Sequence, residues 1–193
     1  MTAGAWTSLL VPELTTVLRP TGQPVFHLRP TDPSMFVAPK FPVFSADRSH
    51  NGWYGFPLHP RYGVVKIANH GKGWPMQSAD KPRIIPQRYV DRLRAFAAET
   101  FPMLADASIT HMRCCLYCDT PDEHFWITRH PTRRSLTIAA GDSGHAFKFG
   151  PLLGELIADA LEGRPNMALR KFSWRIPTRE TVGLEESRHR GDA

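Results

Sequence analysis

Apolar and polar residues alternate in short stretches along the first half of the chain, and prolines separate these stretches. Residues 23–29 and 41–44 predict short strands, and residues 64–67 predict another before a glycine-containing loop. Asn51 and Gly52 lie between apolar runs and indicate a hairpin, because both central residues of a type I′ turn need positive φ. Residues 53–56 then begin the returning strand. We expect no long helix before residue 86.

The period of the apolar residues changes after this point. Between residues 86 and 104, apolar side chains recur every three or four positions with charged residues between them, which predicts an amphipathic helix that starts near Pro86. Three strands are predicted at 112–118, 125–129 and 135–140. A second helix opens at Pro151 and closes at Gly163. This order predicts a mixed α/β (α+β) fold in which a predominantly antiparallel mixed sheet lies under a helix and further strands and a helix follow.

Composition and charge narrow the class of protein. The chain has 193 residues, of which 41% are hydrophobic, enough for one domain or for parts of two. It has no apolar window of about 18 residues and no N-terminal leader pattern, so we expect a soluble, cytoplasmic protein with no membrane partner. The net charge of +6 comes from scattered basic residues that are not interleaved with aromatic ones, so we expect no nucleic-acid partner.

The three cysteines all lie between positions 114 and 118. Neighbours on one strand cannot form a disulfide framework. With His111 and His124 they have the composition of a zinc set, and Cys115 and Cys118 have the spacing of a redox dithiol. Alternation along a strand argues against both, because Cys114 and Cys118 then point away from the face of Cys115. We predict that Cys114 and Cys118 are small buried side chains, and a zinc or thiol redox module stays as the less favoured alternative.

Two motifs carry most of the information in the chain. Residues 115–125 read Cys-Leu-Tyr-Cys-Asp-Thr-Pro-Asp-Glu-His-Phe, and residues 141–148 read Gly-Asp-Ser-Gly-His-Ala-Phe-Lys. Together they resemble the monomeric sarcosine oxidase family of flavoenzymes, which includes N-methyl amino acid and pipecolate oxidases, with fructosyl amino acid oxidases as more distant relatives. Matches at residues 53–57 and 63–70 extend the resemblance to roughly residues 4–180.

The resemblance implies FAD as the cofactor and assigns roles to nine residues. Cys115 matches the cysteine that holds FAD covalently, as a thioether. Lys148 matches the lysine that reaches the substrate carboxylate and the flavin. Lys66 matches the lysine that activates oxygen, where a cation stabilises superoxide as it forms. The other assignments are to the flavin loop (Gly141, Gly144 and His145) and to the substrate pocket (Tyr54, His70 and Tyr117).

Two features of the chain depart from the family pattern. Ala146 stands where the family has glycine, and the extra methyl group could alter the local φ. The larger departure is that no Gly-x-Gly-x-x-Gly fingerprint for the FAD pyrophosphate occurs in the sequence. The chain therefore resembles the C-terminal half of such a flavoprotein. Its expected partners are a small amine substrate, oxygen and a missing N-terminal FAD-binding half.

The resemblance also implies a division of the chain and a reaction. Residues 1–19 match the end of the first FAD-binding region, 20–110 a portion of the substrate domain, 111–165 a C-terminal FAD-binding segment and 166–193 a tail. The implied reaction is oxidation of the C–N bond of a secondary amine or N-methyl amino acid by oxygen, with an imine and hydrogen peroxide as products. The alternative is a catalytically inactive remnant or binding protein of the same fold.

Overall fold

The computed structural model describes residues 1–46, 52–76 and 82–175, and the chain divides into two compact units. The sheet unit comprises residues 22–46, 52–74 and 82–115 of the described chain. The hairpin unit comprises residues 1–21, 75–76 and 116–175. The predicted hairpin residue Asn51 and the tail from residue 176 lie outside the described residues.

The described residues form eight strands and four α-helices. The strands are β1 (Arg19–Arg29), β2 (Phe44–Ala46), β3 (Trp53–Phe56), β4 (Val65–Asn69), β5 (Trp74–Pro75), β6 (Ser108–Asp119), β7 (Trp126–Arg129) and β8 (Thr137–Ala140). The α-helices are α1 (Thr7–Leu10), α2 (Gln87–Thr100), α3 (Pro102–Ala105) and α4 (Gly150–Glu162). Short 3-10 helices cover Gly4–Trp6, Pro12–Leu14, Pro33–Met35, Phe147–Phe149 and Met167–Phe172.

The pairs β1–β4, β2–β3 and β3–β4 of the main sheet are antiparallel, which confirms the prediction of a largely antiparallel sheet. Strands β2, β3, β4 and β1 are adjacent in that order, and β5 and β6 both pair with β1. His27 of β1 is opposite Lys66 of β4, and Lys66 is opposite Phe56 of β3. Because residues in register share a face, these three side chains lie on the same side of the sheet.

A helix covers the other side of this sheet, as the sequence predicts. The Trp53 ring of β3 stacks on Phe96 of α2, with 4.9 Å between the ring centroids. Leu93 and Ala97 of α2 are fully buried. The side that carries Tyr54, Phe56 and Lys66 is partly exposed to solvent, and it is called the open face below. The sequence periodicity of residues 86–104 thus identified the helix and the side it buries.

The predicted helix is interrupted near its end. Helix α2 stops at Thr100, Phe101 has a φ of −136°, and Pro102 begins α3. A residue before proline is sterically disfavoured in helical conformation, so the prediction of one continuous helix to residue 104 was wrong for a local reason. The strand predicted at 41–44 was also wrong for most of its length, because β2 begins only at Phe44.

The hairpin unit buries both sides of a two-stranded sheet. β7 and β8 are antiparallel, with Trp126 opposite Ala140 and Thr128 opposite Ile138. Trp126 and Ile138 pack into one apolar cluster with side chains from the N-terminal residues, including Leu14. Ile127 faces the other way and packs with Leu156 of α4 in a second cluster. Period-two alternation therefore supplies an apolar side chain to each cluster.

The second predicted helix ends as the sequence indicates. Helix α4 spans Gly150–Glu162, and Gly163 closes it with a φ of 73° in the left-handed region. Glycine adopts this conformation without the steric cost that other residues incur. Among the described residues, no helix has the length and apolar composition needed to cross a membrane.

Candidate functional site

The three thiols differ in exposure in the way strand alternation predicts. All three cysteines are free; Cys114 and Cys118 are only 2% and 1% exposed, whereas Cys115 is half-buried. Burial raises the pKa of Cys114 and raises the pKa of Cys118 to about 12. Cys115 is therefore the thiol that a reagent or cofactor can reach. Within residues 1–46, 52–76 and 82–175, no group of three or more His, Cys, Asp or Glu residues could hold a metal ion.

The glycine-containing loop after β8 packs closely against β6. Gly144 has a φ of 74°, and a Cβ atom there would lie 2.1 Å from the ring of Tyr117. Gly141 has a φ of 72°, and a Cβ atom there would lie 2.6 Å from the methyl carbon of Thr120. Both positions therefore need glycine for conformation and for space. Of the predicted site residues, the structure thus brings Gly144 of the loop against Tyr117 of β6, while Gly141 packs on the neighbouring Thr120.

Hydrogen bonds fix the same loop to its surroundings. The Asp142 carboxylate accepts from the backbone N–H groups of Cys118 at 3.0 Å and Gly144 at 3.2 Å. Burial raises the pKa of Asp142, and these two hydrogen bonds only partly offset that effect. His145 Nε2 lies 2.9 Å from the backbone oxygen of Glu123. Ala146 has a φ of −69°, an ordinary value for alanine, so the departure from glycine here changes no left-handed position.

Lys148 lies just before α4 rather than inside the loop. It belongs to the 3-10 helix Phe147–Phe149, is exposed, and its Nζ lies 5.3 Å from the centre of the Phe149 ring. Phe147 is 100% exposed, and Leu152 of α4 is 53% exposed, whereas Leu156 is only 5% exposed. The start of α4 thus presents a cation beside uncovered apolar side chains, while the middle of the helix is packed.

The predicted site residues of the sheet unit lie on and beside the open face. Lys66 Nζ is 5.0 Å from the centre of the Phe56 ring and 5.5 Å from that of Tyr54, which places the ammonium group against two aromatic rings. His70 follows β4, and its backbone N–H donates to the oxygen of Gly52 at 2.8 Å. Cys115 belongs to this unit, whereas Tyr117 and the glycine loop belong to the hairpin unit.

The sequence patterns did not single out Arg175, which has many partners. Its guanidinium group donates to both carboxylate oxygens of Asp122, at 2.6 and 2.8 Å, and to the backbone oxygens of His124 at 2.9 Å and Phe125 at 3.2 Å. Burial opposes ionisation of Asp122, but the hydrogen bonds and charge of Arg175 outweigh it and lower the pKa of that carboxyl. Arg175 therefore fixes the turn that follows β6, at a sequence separation that no local pattern reveals.

A pair of histidines was missed as well. The rings of His27 and His111 lie 5.3 Å apart between centroids, and His27 is directly opposite Lys66 in the sheet. Strand alternation in the predicted strand 23–29 was the available signal, since it places His27 on one face. Which strand pairs with β1, and therefore that His27 lies opposite Lys66, can be known only from the folded structure.

The chain is similar in sequence to known flavin-dependent proteins. The sequence profile of the family described as FAD dependent oxidoreductase matches residues 1–160. The chain belongs to this family. Its relatives include the N-methyl-L-tryptophan oxidase of Salmonella arizonae, which is 33% identical over 179 residues, or 89% of this chain and 45% of the relative. The resemblance to sarcosine oxidase-like enzymes is confirmed at the level of the family.

Solved structures give the same fold. The fructosamine oxidase Amadoriase II of Aspergillus fumigatus has a TM-score of 0.74 at 31% identity, over 89% of this chain and 43% of that one. Its structure in complex with FSA has a TM-score of 0.75 at 30% identity, over 95% and 46%. The chain thus spans a little under half the length of the relatives it matches.

Proposed function

We propose that this chain forms the C-terminal half of an FAD-dependent oxidase that breaks the C–N bond of a secondary amine such as an N-methyl amino acid. Oxygen would accept the electrons, and the products would be an imine and hydrogen peroxide. Membership of the FAD-dependent oxidoreductases supports the cofactor, and similarity to an N-methyl-L-tryptophan oxidase supports the substrate class. The observation that carries the proposal is the half-buried free thiol of Cys115 between two inaccessible ones.

We assign several residues of this chain to the ring end of a flavin. Cys115 supplies an accessible thiol for a covalent bond, and Gly141, Gly144 and His145 form a loop held rigidly by hydrogen bonds and close packing. Lys148 supplies an exposed ammonium group for a carboxylate. When bound, FAD supplies the two-electron chemistry; the protein orients the substrate and adjusts the charge around it.

The open face supplies the remaining roles. Lys66 would place a positive charge where oxygen is reduced, because a nearby cation lowers the energy of a developing anion. Its contacts with the rings of Phe56 and Tyr54 hold the ammonium group in place. Tyr54 and His70 would help to orient the amine, and Tyr117 of the hairpin unit is proposed as a further substrate residue. In this proposal the sheet unit corresponds to part of the substrate domain and the hairpin unit to the end of an FAD-binding domain.

The solved structures favour a second candidate substrate, a fructosyl amine. Two structures named fructosamine oxidase exceed or equal 30% identity to this chain over most of its length. Both candidates are secondary amines and differ in the group on nitrogen, a methyl group in one and a sugar in the other. Turnover of N-methyl-L-tryptophan and of a fructosyl amino acid by the same assembled preparation would separate them.

Activity would also need the nucleotide-binding half that full-length relatives possess. The chain has no dinucleotide fingerprint, and the side chains of Phe147 and Leu152 are uncovered at the start of α4. We propose that a half carrying that fingerprint is the partner, in a cytoplasmic setting. An inactive remnant of the same fold is the alternative, and failure to assemble a flavin site with any such half would favour it.

The test is the intact mass of the chain after co-expression with the N-terminal half of a relative and FAD. The proposal predicts a mass increase of one FAD that disappears in Cys115→Ser and persists in Cys118→Ala, the control in which a buried thiol is removed. Unmodified mass in the wild type, with both halves purified as one complex, would contradict covalent attachment. A flavin adduct that survives Cys115→Ser would place the bond on another residue.

A further inference from the structure

Three basic side chains of the sheet unit act on a fourth, His27, around the open face. His27 of β1 is directly opposite Lys66 of β4, where Cβ atoms are about 5 Å apart in an antiparallel pair. The His27 ring is also 5.3 Å from the ring of His111 of β6, between centroids. His59, in the loop before β4, is near enough for its charge to act on His27.

The surroundings of His27 disfavour its protonated, charged form. The pKa of His27 is lowered, first by burial and then by the charges of His111, Lys66 and His59. Among the described residues, the groups whose charges shift this pKa are all basic. Like charges directly opposite in a sheet are destabilising, so an anion bound beside His27 and Lys66 would relieve this repulsion. In the hairpin unit, by contrast, the buried carboxylate of Asp122 has its own guanidinium partner.

We propose that His27, Lys66 and His111 form a binding site for the carboxylate of a small organic acid. Protonated imidazole and ammonium N–H groups make the strongest hydrogen bonds to carboxylates. The cluster carries one permanent positive charge, on Lys66, and gains further charge only when its imidazoles are protonated. This small positive charge suits a monoanion better than a phosphate. The Phe56 ring beside Lys66 is 40% exposed and offers apolar contact to the carbon chain of the acid.

This site is separate from the role given to Lys148, and its existence does not depend on FAD. Lys66 is shared with the proposed oxygen step, so a bound carboxylate would slow that step by neutralising the cation; this consequence rests on the proposed function. Binding itself can be measured on the chain alone. Failure of the binding test and failure of flavin attachment are therefore distinguishable outcomes.

The experiment follows the histidine Cε1–H resonances of the full 193-residue chain by NMR at pH 6, while acetate replaces chloride at constant ionic strength. The His27 and His111 signals are assigned with His27→Gln and His111→Gln. We expect both signals to shift along one saturable isotherm with a Kd on the order of millimolar. The midpoint of the His27 titration should move to higher pH, because a carboxylate that binds the protonated ring favours protonation.

Three controls decide between carboxylate binding and general salt effects. Acetamide, the neutral isostere of acetate, should cause no saturable shift. The buried His130 ring of the hairpin unit should stay unchanged and serves as the internal reference. Lys66→Gln should weaken acetate binding at least tenfold. A dispersed NMR spectrum of this variant shows that it is folded. If chloride binds as well as acetate, replacing one by the other gives no saturable shift, and the carboxylate assignment is overturned. A parallel, unsaturated drift of all histidine signals would overturn it too.

Discussion

The two units treat their reactive and charged groups in opposite ways. In the hairpin unit, Asp122 has a guanidinium partner, Asp142 accepts two backbone hydrogen bonds and Cys118 is sealed from solvent. In the sheet unit, Cys115 is half-buried with a free thiol, and His27 has only basic neighbours among the groups that shift its pKa. Groups satisfied internally contribute to a rigid frame, whereas uncompensated ones are available to a ligand.

The sharpest contrast is between Cys115 and Cys118, three residues apart on β6. At pH 8, a pKa of about 12 leaves roughly one part in ten thousand of the Cys118 thiol ionised, and the thiolate is the nucleophile. We expect iodoacetamide to modify Cys115 at least one hundredfold faster than Cys118 in the folded chain. Peptide mass mapping at short times measures both rates. Rates that differ in the folded chain and become equal only in urea would agree with the contrast, whereas comparable rates without urea would remove it.

Arg175→Gln tests whether the hairpin unit depends on internal charge compensation. The substitution leaves the carboxylate of Asp122 partly buried without its partner, which costs about 3 kcal/mol in comparable pairs. Urea unfolding at pH 7 should show this loss, and Arg175→Lys, which keeps the charge but not the two-pronged geometry, should lose less.

The pH dependence of the same variant gives a second check. The pKa of Asp122 is lowered in the folded state, so its ionised form contributes stability above the unfolded pKa of about 3.9, and this contribution is lost as pH falls through the folded pKa. The difference between wild type and Arg175→Gln should therefore shrink in acid. A difference that stays constant from pH 7 to pH 2 would show that Arg175 acts through its backbone hydrogen bonds and packing and not through the charge of Asp122.

Two glycine-to-alanine substitutions compare a closely packed loop position with an open position in a helix. Gly144→Ala places a methyl group against the Tyr117 ring at a left-handed position, which should destabilise the chain by about 2 kcal/mol. Gly154→Ala, in α4 with open space at its Cβ, should stabilise by up to about 1 kcal/mol. Thermal unfolding of both variants gives the comparison. Equal effects would mean that the loop adapts and does not need glycine at residue 144.

Periodic and local features of the fold could be predicted from the sequence. The apolar repeat gave α2, alternation gave the buried Cys114 and Cys118, and Gly163 marked the end of α4. The site motif placed Tyr117 and the glycine loop on neighbouring segments, and the close approach of Gly144 to Tyr117 agrees with it. These features depend on residues near one another in sequence or on a single element.

Contacts between distant segments could not be predicted. Arg175 meets Asp122 across 53 positions, and nothing in the spacing of basic residues distinguished it from the other arginines near the C-terminus. His27 meets Lys66 only because β1 and β4 pair in one register, and a shift of one residue would move either side chain to the other face. The electrostatic character of both sites therefore depends on tertiary pairing.

The smallest expected effect concerns the burial of His27 and, after it, the repulsion from its basic neighbours. Its folded pKa lies below the ordinary value of 6.5, so as pH falls the unfolded chain takes up a proton first, and stability decreases from about pH 6.5 down through the folded pKa. His27→Gln should flatten this slope, by less than about 1 kcal/mol because solvent screens a half-exposed charge. His59→Gln removes only the last and weakest of the neighbouring charges and should flatten it less. Urea midpoints from pH 5 to pH 8 measure all three slopes. If the stability of wild type and of His27→Gln depends on pH with the same slope, the charges of the basic cluster are already neutralised within the chain. The open face would then resemble the hairpin unit in having compensated charges.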